Sequence, residues 1–432
     1  MDILTKTVSE KFNSNVISDI VNKKSKFTNP IVKNISFGAP TTKGESYLSL
    51  VTRFSIEICE AGSDKETETI PIIVKSFPSN LARKETFRSV DFFENEILFY
   101  NKVWPCLDAF QKSKNVKNPL DIVPEYVHKF IYFAFKYFSH FRCLSAFTDG
   151  KNDFIALTDL CYSKYGGLPR NTSLNFEQTI EIIRTFGKFH AISLALNDQK
   201  PDEFQKIIST LQETYFDEKF RSWYTPVMNK LLLVLRDLIE KELSKEYLDK
   251  FEELIKRDIY KECCKICKNH TVLCGVTHGD CWAPNFLVKT TETNQFDVKI
   301  IDYQLTRCAP VVTDLTFFLY ICVDPVIRDK NWDELIKIYS NSVSEYLNEL
   351  GSNPRIINVD IVEDAMKKIG MFTFLMGTEA IIMSAAEEIA DIDEIQEVTT
   401  LDNVWIIKPM SNVDNRKKAA GFFKHLVDGN YV

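Results

Sequence analysis

The sequence predicts an α+β protein in which a smaller N-terminal part, made of antiparallel strands and a helix, precedes a larger and mainly helical part. Alternating apolar and polar residues in the first 160 positions predict the strands, and apolar residues at three-and-four spacing predict the helices beyond them. A third observation is an island of two short apolar runs at 272–304, inside the helical part. We therefore expect two units, at 1–160 and 161–432.

The N-terminal part begins with a polar helical stretch near Val8–Lys24. Apolar residues then occupy every second position from Phe54 to Ile58, which indicates a half-buried strand. The segment TETIPIIVKSF carries a β-branched run that ends at Lys75 and predicts a second strand of the same hairpin. Few helix breakers occur from Thr86 to Trp104, so this stretch is predicted to be a helix.

The C-terminal part is interrupted once between predicted helices. The helical stretches are Phe176–Leu196, Val227–Leu243, Lys245–Lys268, Asp333–Leu350 and Asp360–Ile389. Between the third and the fourth lies VLCGVTHGDCWAPNFLVKTTETNQFDVKIIDYQ, in which the polar turn TTETNQ separates two apolar runs. Such an island predicts a hairpin that carries a functional site.

Composition limits the classes of function. The chain has 432 residues, of which 45% are hydrophobic, so it can bury a sizeable core. Its net charge is −7 without a dominant basic block, which argues against nucleic acid as a partner. The most apolar segment, Phe130–Phe147, is interrupted by charged residues and predicts no membrane span. The N-terminal segment lacks the apolar core of a secretory signal, so we expect a cytoplasmic protein whose eleven cysteines are reduced.

The segments HGDCWAPN and IIDYQ give the strongest chemical signal. Asp280 and Asn285 are five residues apart, which is the spacing between the catalytic aspartate and the metal-binding asparagine in the protein-kinase motif H-R-D-x-x-x-x-N. Asp302 follows an apolar strand, where a second magnesium ligand is expected. Phosphoryl transfer needs a carboxylate at the acceptor hydroxyl and oxygen ligands for Mg²⁺. The pattern therefore predicts a kinase that uses ATP and Mg²⁺.

These two segments resemble the catalytic and metal loops of the choline-kinase and aminoglycoside-phosphotransferase superfamily. Together with KGESYLS, IIVKSFP, FENEILFY and GKFHAIS, they resemble the ecdysteroid kinase-like family of insects, in the same order and from about residue 40 to 320. The resemblance implies a two-lobed protein-kinase-like fold, with a nucleotide-binding lobe at 1–160 and a catalytic, acceptor-binding lobe at 161–432. It also implies phosphorylation of a steroid alcohol, such as an ecdysteroid, or of a xenobiotic alcohol in detoxification.

The resemblance implies a chemical role for each matching residue. Lys75 would bind the α- and β-phosphates of ATP, and Glu96 would pair with Lys75. Asn285 and Asp302 would bind Mg²⁺. Asp280 would orient the acceptor hydroxyl and take its proton late, because an alcohol is far too weak an acid to lose a proton to a carboxylate beforehand.

Five more residues would contact the nucleotide if the resemblance holds. Gly44 would let a loop backbone close over the phosphates, with Ser46 and Tyr47 nearby. Asp159 and Leu160 would lie beside the adenine, where the two lobes connect.

Other polar residues are interpreted as structural. We expect His278 to brace the catalytic loop and His190 to be a hydrogen-bonded packing residue on its helix. The cysteine cluster at 263–274, which surrounds His270, has the ligand types of a zinc site, but no second C-x-x-C pair completes a tetrahedral set. Buried thiols that behave as small hydrophobes are the favoured interpretation.

Two alternatives stay open. The chain could phosphorylate choline, ethanolamine or an aminoglycoside, as other enzymes of the superfamily do, and a screen of acceptors would distinguish these substrates. It could also be a non-catalytic pseudokinase that serves as a binding module. Such a module would be expected to lack one of Lys75, Asp280, Asn285 and Asp302, but all four are present.

Overall fold

The computed structural model describes residues 2–38, 48–63, 66–124, 144–268, 273–290, 296–386, 388 and 391–432. Gly44, Ser46 and Tyr47 lie outside these ranges, as does most of the apolar segment at 130–147. The predictions made for them therefore stay predictions.

Up to Thr158 the described chain combines five strands with five α-helices, and helices dominate after it, which confirms the α+β class. The strands are β1 (Pro30–Phe37), β2 (Leu50–Glu60), β3 (Thr67–Ser76), β4 (Ser145–Phe147), β5 (Phe154–Thr158), β6 (Gly166–Gly167), β7 (Cys274–Thr277), β8 (Phe286–Thr290), β9 (Phe296–Ile300) and β10 (Arg307–Pro310). The helices are α1 (Asp2–Thr7), α2 (Ser14–Lys24), α3 (Leu81–Thr86), α4 (Ser89–Leu98), α5 (Trp104–Ser113), α6 (Phe176–Gln199), α7 (Pro201–Ile208), α8 (Arg221–Glu242), α9 (Lys245–Leu254), α10 (Ile259–Lys268), α11 (Val312–Ile321), α12 (Pro325–Lys330), α13 (Trp332–Glu349), α14 (Val359–Lys368), α15 (Gly370–Ser384), α16 (Leu401–Val404) and α17 (Val413–Asp428).

An antiparallel sheet with the strand order β1-β2-β3-β5-β4 forms the N-terminal part. The predicted hairpin is β2 with β3, in which Val51 pairs with Lys75. Ile70, Ile72 and Val74 are buried on one face of β3, against apolar residues of α1 and α2. Because successive side chains of a strand point to opposite faces, Lys75 points to the other face of the sheet.

The helix predicted over Thr86–Trp104 is interrupted by Arg88, whose φ of 54° lies in the left-handed region. For this reason α4 begins only at Ser89. The guanidinium of Arg88 donates a hydrogen bond to the carbonyl oxygen of Thr214 and lies 3.2 Å from the ring centroid of Phe220. These contacts with the C-terminal part stabilise a conformation that is otherwise unfavourable for arginine.

Other predicted helices also have different bounds. The stretch near Val8–Lys24 becomes α2 only at Ser14, because the side chain of Asn13 accepts a backbone N–H of the first turn. The stretches at 245–268 and 360–389 are each divided into two helices, α9 with α10 and α14 with α15.

The island at 272–304 contains the predicted hairpin. β8 and β9 pair antiparallel, with residues 291–295 between them outside the described part. β7 pairs with β10 instead. The N–H of Ile301 donates to the carbonyl oxygen of Asn285 at 3.0 Å. The loop at 278–285 and the loop after β9 therefore lie side by side.

Residues 391–405 lie between α15 and α17 in the chain and contact both parts of the molecule. They are called the connecting segment below. Near α3, Asn80 Nδ2 donates to the carbonyl oxygen of Ile395 at 2.7 Å. Near α8, Lys230 forms an ion pair with Asp402 at 3.2 Å. The connecting segment is thus held by both parts.

Two sequence predictions concerned the state of the cysteines and the absence of a membrane span. All ten cysteines of the described ranges have free thiols, and only Cys161 among them is exposed. His270 lies outside these ranges, and the side chains within them form no cluster of three or more His, Cys, Asp or Glu that could hold a metal ion. Among the described helices, none combines the length and the apolar character needed to cross a bilayer.

Candidate active site

Lys75, Glu96 and Asp302 meet in one ion-pair cluster. Lys75 Nζ lies 2.7 Å from Glu96 Oε2 and 2.6 Å from Asp302 Oδ1. The three side chains come from β3, from α4 and from the loop after β9. The structure therefore brings together three charged residues that the sequence analysis had assigned to one site.

Burial and charge act in opposite directions in this cluster. Burial favours the neutral form of Lys75, but the adjacent carboxylates of Asp302 and Glu96 raise its pKa above the ordinary value. Burial raises the pKa of Glu96, although the Lys75 ammonium opposes that shift. Lys75 therefore presents a fixed positive charge next to Asp302.

Asn95 fixes α4 in the orientation that this cluster needs. Its Nδ2 donates to the carbonyl oxygens of Thr306 at 2.7 Å and of Gln304 at 3.0 Å, and its Oδ1 accepts the N–H of Gln212 at 3.1 Å. Asn95 is fully buried and directly precedes Glu96. Asn95 was not predicted from the sequence, where its only signal was a neutral amide between two glutamates in FENEILFY.

Replacement of Asn95 by alanine is expected to lower both stability and turnover. The variant leaves the carbonyl groups of Thr306 and Gln304 and the N–H of Gln212 short of a partner. For the buried carbonyl of Thr306 this costs about 1–3 kcal/mol. Thermal unfolding and kcat for phosphate transfer are the measurements, and Lys102→Ala, at an exposed position nearby, is the matched control. A melting temperature and a kcat equal to those of the control would contradict this role.

The loop between β7 and β8 is held by Asp314, at the start of α11. Asp314 accepts the backbone N–H groups of His278 at 2.6 Å and Gly279 at 2.9 Å. His190 Nε2 lies 3.1 Å from the same carboxylate, and His190 Nδ1 lies 2.8 Å from the hydroxyl of Tyr339. His190 is thus a buried, hydrogen-bonded packing residue, as predicted, while Asp314 was missed.

His278 joins the two loops of the site. Its Nδ1 accepts the N–H of Asp280 at 3.1 Å, which leaves Nε2–H to donate to the carbonyl oxygen of Ile301 at 2.9 Å. Burial lowers the pKa of His278, so its ring is neutral. The ring also packs edge-on against Tyr303. His278 therefore braces the loop, as predicted.

Asp280 and Asn285 are in direct contact. Asn285 Nδ2 donates to the backbone oxygen of Asp280 at 2.9 Å and to Asp280 Oδ2 at 3.1 Å. Burial, with the nearby charge of Asp302, raises the pKa of Asp280 to about 7. All three side chains line one cavity. Its polar end therefore presents two carboxylates and an amide.

Two backbone positions in the site have positive φ. Gly279 has a φ of 84°, and a Cβ there would lie 2.3 Å from the carbonyl oxygen of Leu305. Only glycine fits this close approach. Asp302 has a φ of 68°, which costs free energy for a residue other than glycine and is more common at functional sites. The close approach of Gly279 to Leu305 brings the loop at 278–285 against the segment that follows Asp302.

The cavity has a volume of about 170 Å³ and is mostly walled by apolar side chains. Its aromatic residues include Phe92, Tyr215, Trp223 and Trp282, and the connecting segment adds Trp405. A polar end beside apolar walls is the usual form of a small-molecule site.

Asp159 and Leu160 lie apart from this cavity, where β5 leads into the C-terminal part. Both carboxylate oxygens of Asp159 accept from Arg53 Nη1 at 2.9 Å, and the N–H of Asp159 donates to the carbonyl oxygen of Pro71 at 3.1 Å. Leu160 is buried at the start of a 3₁₀ turn. The side chain of Asp159 is therefore engaged by the sheet, and a contact with adenine stays a prediction for both residues.

Comparisons with known proteins give one family match and several similar structures. The family model described as the ecdysteroid kinase-like family matches residues 43–352. No curated protein matches the sequence. An ethanolamine kinase from Plasmodium vivax is 10% identical, with a TM-score of 0.38, over 92% of this chain and 83% of that one. An aminoglycoside phosphotransferase from Alicyclobacillus acidocaldarius is 12% identical, with a TM-score of 0.33, over 95% and 96% of the two chains.

Proposed function

The chain belongs to the ecdysteroid kinase-like family and is a small-molecule kinase, and from this premise we propose that it transfers the γ-phosphate of ATP to a hydroxyl of an ecdysteroid-like steroid or of a xenobiotic alcohol. The two-lobed protein-kinase-like fold inferred from the sequence is confirmed. The observation that supports the proposal best is the contact of Lys75 with both Glu96 and Asp302, because Asp302 also lines the cavity that contains Asp280 and Asn285.

Lys75 binds the α- and β-phosphates in this proposal. The Lys75 side chain is 12% exposed, so a ligand can reach it, while the buried Glu96 carboxylate fixes its position. Because Lys75 stays protonated, it contributes a positive charge that needs no reorganisation when the phosphates arrive. Glu96 acts on the phosphates only through Lys75.

Asn285 and Asp302 have the donor chemistry of a magnesium site. Amide and carboxylate oxygens are the hard ligands that Mg²⁺ prefers, and Mg²⁺ commonly takes only one or two carboxylates from the protein, with substrate phosphates and water completing its shell. Two protein ligands are therefore sufficient. When bound, Mg²⁺ would neutralise charge on the transferred phosphate.

Asp280 orients the acceptor hydroxyl toward the γ-phosphorus. As the acceptor oxygen bonds to phosphorus and the bond to the ADP oxygen breaks, Asp280 takes the hydroxyl proton. Position matters more than basicity here, since proton transfer is late. The contact with Asn285 and the brace formed by His278 hold Asp280 in place.

The walls of the cavity favour an acceptor with an apolar body. Trp223, Trp282 and Trp405 provide flat apolar surfaces, and the polar end provides the carboxylate that orients one hydroxyl. Steroid alcohols and many xenobiotic alcohols have this shape. Choline, ethanolamine and aminoglycosides stay as alternative acceptors, and a pseudokinase stays as the non-catalytic alternative.

Mass spectrometry tests the proposal most directly. The protein is incubated with ATP, Mg²⁺ and a mixture of ecdysteroids, plant alcohols, choline, ethanolamine and an aminoglycoside, and products are searched for the gain of one phosphate. We expect a phosphorylated steroid or xenobiotic alcohol that is absent without ATP. A product formed only from choline, ethanolamine or the aminoglycoside would overturn the acceptor assignment, and nucleotide binding without any product would favour the pseudokinase.

A further inference from the structure

Glu379 is a carboxylate in the wall of the cavity that the proposed reaction does not use. It lies on α15, where Met376, Ala380 and Met383 share its helix face at three-and-four spacing. All four residues line the cavity. Glu379 therefore faces the same space as Asp280.

Two tyrosines hold the Glu379 carboxylate in place. The hydroxyl of Tyr215 donates to Glu379 Oε1 at 2.6 Å, and the hydroxyl of Tyr224 donates to Glu379 Oε2 at 2.5 Å. A carboxylate oxygen has two lone pairs, so each oxygen can accept one further hydrogen bond. The carboxylate is thus fixed in orientation and still able to bind a donor.

Glu379 has no cationic partner within the described ranges of the chain. Burial raises its pKa, while the hydrogen bonds from Tyr215 and Tyr224 oppose that shift. A carboxylate held in a largely apolar cavity costs free energy unless donors satisfy it. A ligand that brings another donor would lower this cost.

We propose that Glu379 determines acceptor specificity by accepting a hydrogen bond from a second donor group of the acceptor, either an alcohol O–H or a protonated amine N–H. This inference rests on the proposed function, in which Asp280 orients the reacting hydroxyl. The apolar body of the acceptor packs against aromatic walls such as Trp223 and Trp405. The kinase therefore prefers polyhydroxylated steroids, or xenobiotic alcohols that carry a protonated amine, to alcohols that have one hydroxyl and no second donor.

The preference follows from the hydrogen bond that Glu379 cannot make with an acceptor that lacks a second donor. When an alcohol without a second donor binds, it covers the Glu379 carboxylate with apolar surface. The carboxylate then loses access to the solvent that would otherwise donate hydrogen bonds to it. Sites built to hydrogen-bond a substrate group reject analogues that lack it, because the polar group of the protein loses its partner. A hydrogen bond to a charged group corresponds to roughly a tenfold to hundredfold preference.

The experiment compares matched acceptors in four proteins: the wild type, Glu379→Gln, Glu379→Leu and the control Glu345→Gln. The acceptors are a polyhydroxylated ecdysteroid, a steroid with one hydroxyl, an amino alcohol and its uncharged isostere, and kcat/KM is measured for each. Glu379→Gln keeps the size and a carbonyl acceptor but removes the charge. Glu345→Gln, at an exposed position on α13, is the matched control.

In the wild type and in Glu345→Gln we expect the donor-rich acceptor of each pair to be preferred by roughly a tenfold or greater factor. Glu379→Leu should abolish both preferences. Glu379→Gln should abolish the preference for the amino alcohol if charge matters, and should keep most of the preference for the polyhydroxylated steroid. The two variants thereby distinguish an ammonium from a neutral hydroxyl as the second donor.

Two results would overturn the inference, and they have different meanings. If the wild type phosphorylates these acceptors and Glu379→Leu and Glu379→Gln keep the same ratios, then Glu379 does not determine specificity although the proposed function stands. If the wild type phosphorylates none of them, the proposed function fails and this inference fails with it. The KM for ATP and the melting temperature, measured on every variant, separate a change in specificity from a loss of folded protein.

Discussion

The variant Asp280→Ala is expected to lose phosphate transfer, with kcat reduced by roughly 10²- to 10⁴-fold. The carboxylate that orients the acceptor hydroxyl and takes its proton is missing, whereas Lys75, assigned to the phosphates, and Asp302, assigned to Mg²⁺, keep their mutual contact. The Kd for ATP should therefore change little. Single-turnover phosphate transfer and equilibrium nucleotide binding are the two measurements.

The control for this variant is Asp360→Ala, which removes an exposed carboxylate at the start of α14. It should match the wild type in both measurements. An Asp280→Ala protein that turns over at the wild-type rate would refute the role of Asp280. One that loses transfer and nucleotide binding to the same extent would instead assign Asp280 to the nucleotide.

Asp302→Ala has the second of the two largest expected effects, and it should differ from Asp280→Ala in kind. Asp302 is assigned to Mg²⁺, and it also provides one of the two carboxylates that contact the Lys75 ammonium. Its removal should weaken MgATP binding and transfer together, each by roughly tenfold or more, with a higher Mg²⁺ concentration needed for half-maximal activity.

The Mg²⁺ concentration is varied, and both the transfer activity and the Kd for ATP are measured at each concentration. Asp280→Ala is the matched comparison, because it removes the neighbouring carboxylate at the polar end of the same cavity and is expected to leave the magnesium dependence of nucleotide binding unchanged. Wild-type magnesium dependence in Asp302→Ala would contradict the assignment of Asp302 to the metal.

The residues that meet in the ion-pair cluster could be identified from the sequence because they stand in recognisable local patterns. Lys75 ends a β-branched strand, Glu96 lies on the next predicted helix, and the D-x-x-x-x-N spacing marks the loop of Asp280. Order along the chain was sufficient to place them in one site. Their exact contacts, such as the 2.6 Å approach of Lys75 to Asp302, required the structure.

The residues that hold the site together had no such pattern. Asp314 lies in the apolar segment VVTDLTFFLY, and its partners at His278 and Gly279 are more than thirty residues away. Asn95 likewise bonds Gln212 and Thr306, which are 117 and 211 residues away from it along the chain. Local patterns cannot identify partners that tertiary packing selects.

Some predicted helix bounds and strand pairings were wrong for a related reason. Arg88 interrupts a predicted helix because its guanidinium is held by Thr214 and Phe220 from a distant part of the chain. The pairing of β7 with β10 was also missed, since each strand has only four residues. In both cases tertiary contacts outweigh local propensity.

The connecting segment has a mechanical consequence for how the two substrates influence each other. It is attached to Asn80 on one side and to Lys230 on the other, and it contributes Trp405 to the wall around the acceptor. A hinge motion that separates the sheet from α8 must stretch this attachment and shift Trp405. If binding of one substrate favours such a motion, thermodynamic linkage requires each substrate to change the affinity of the other by the same factor.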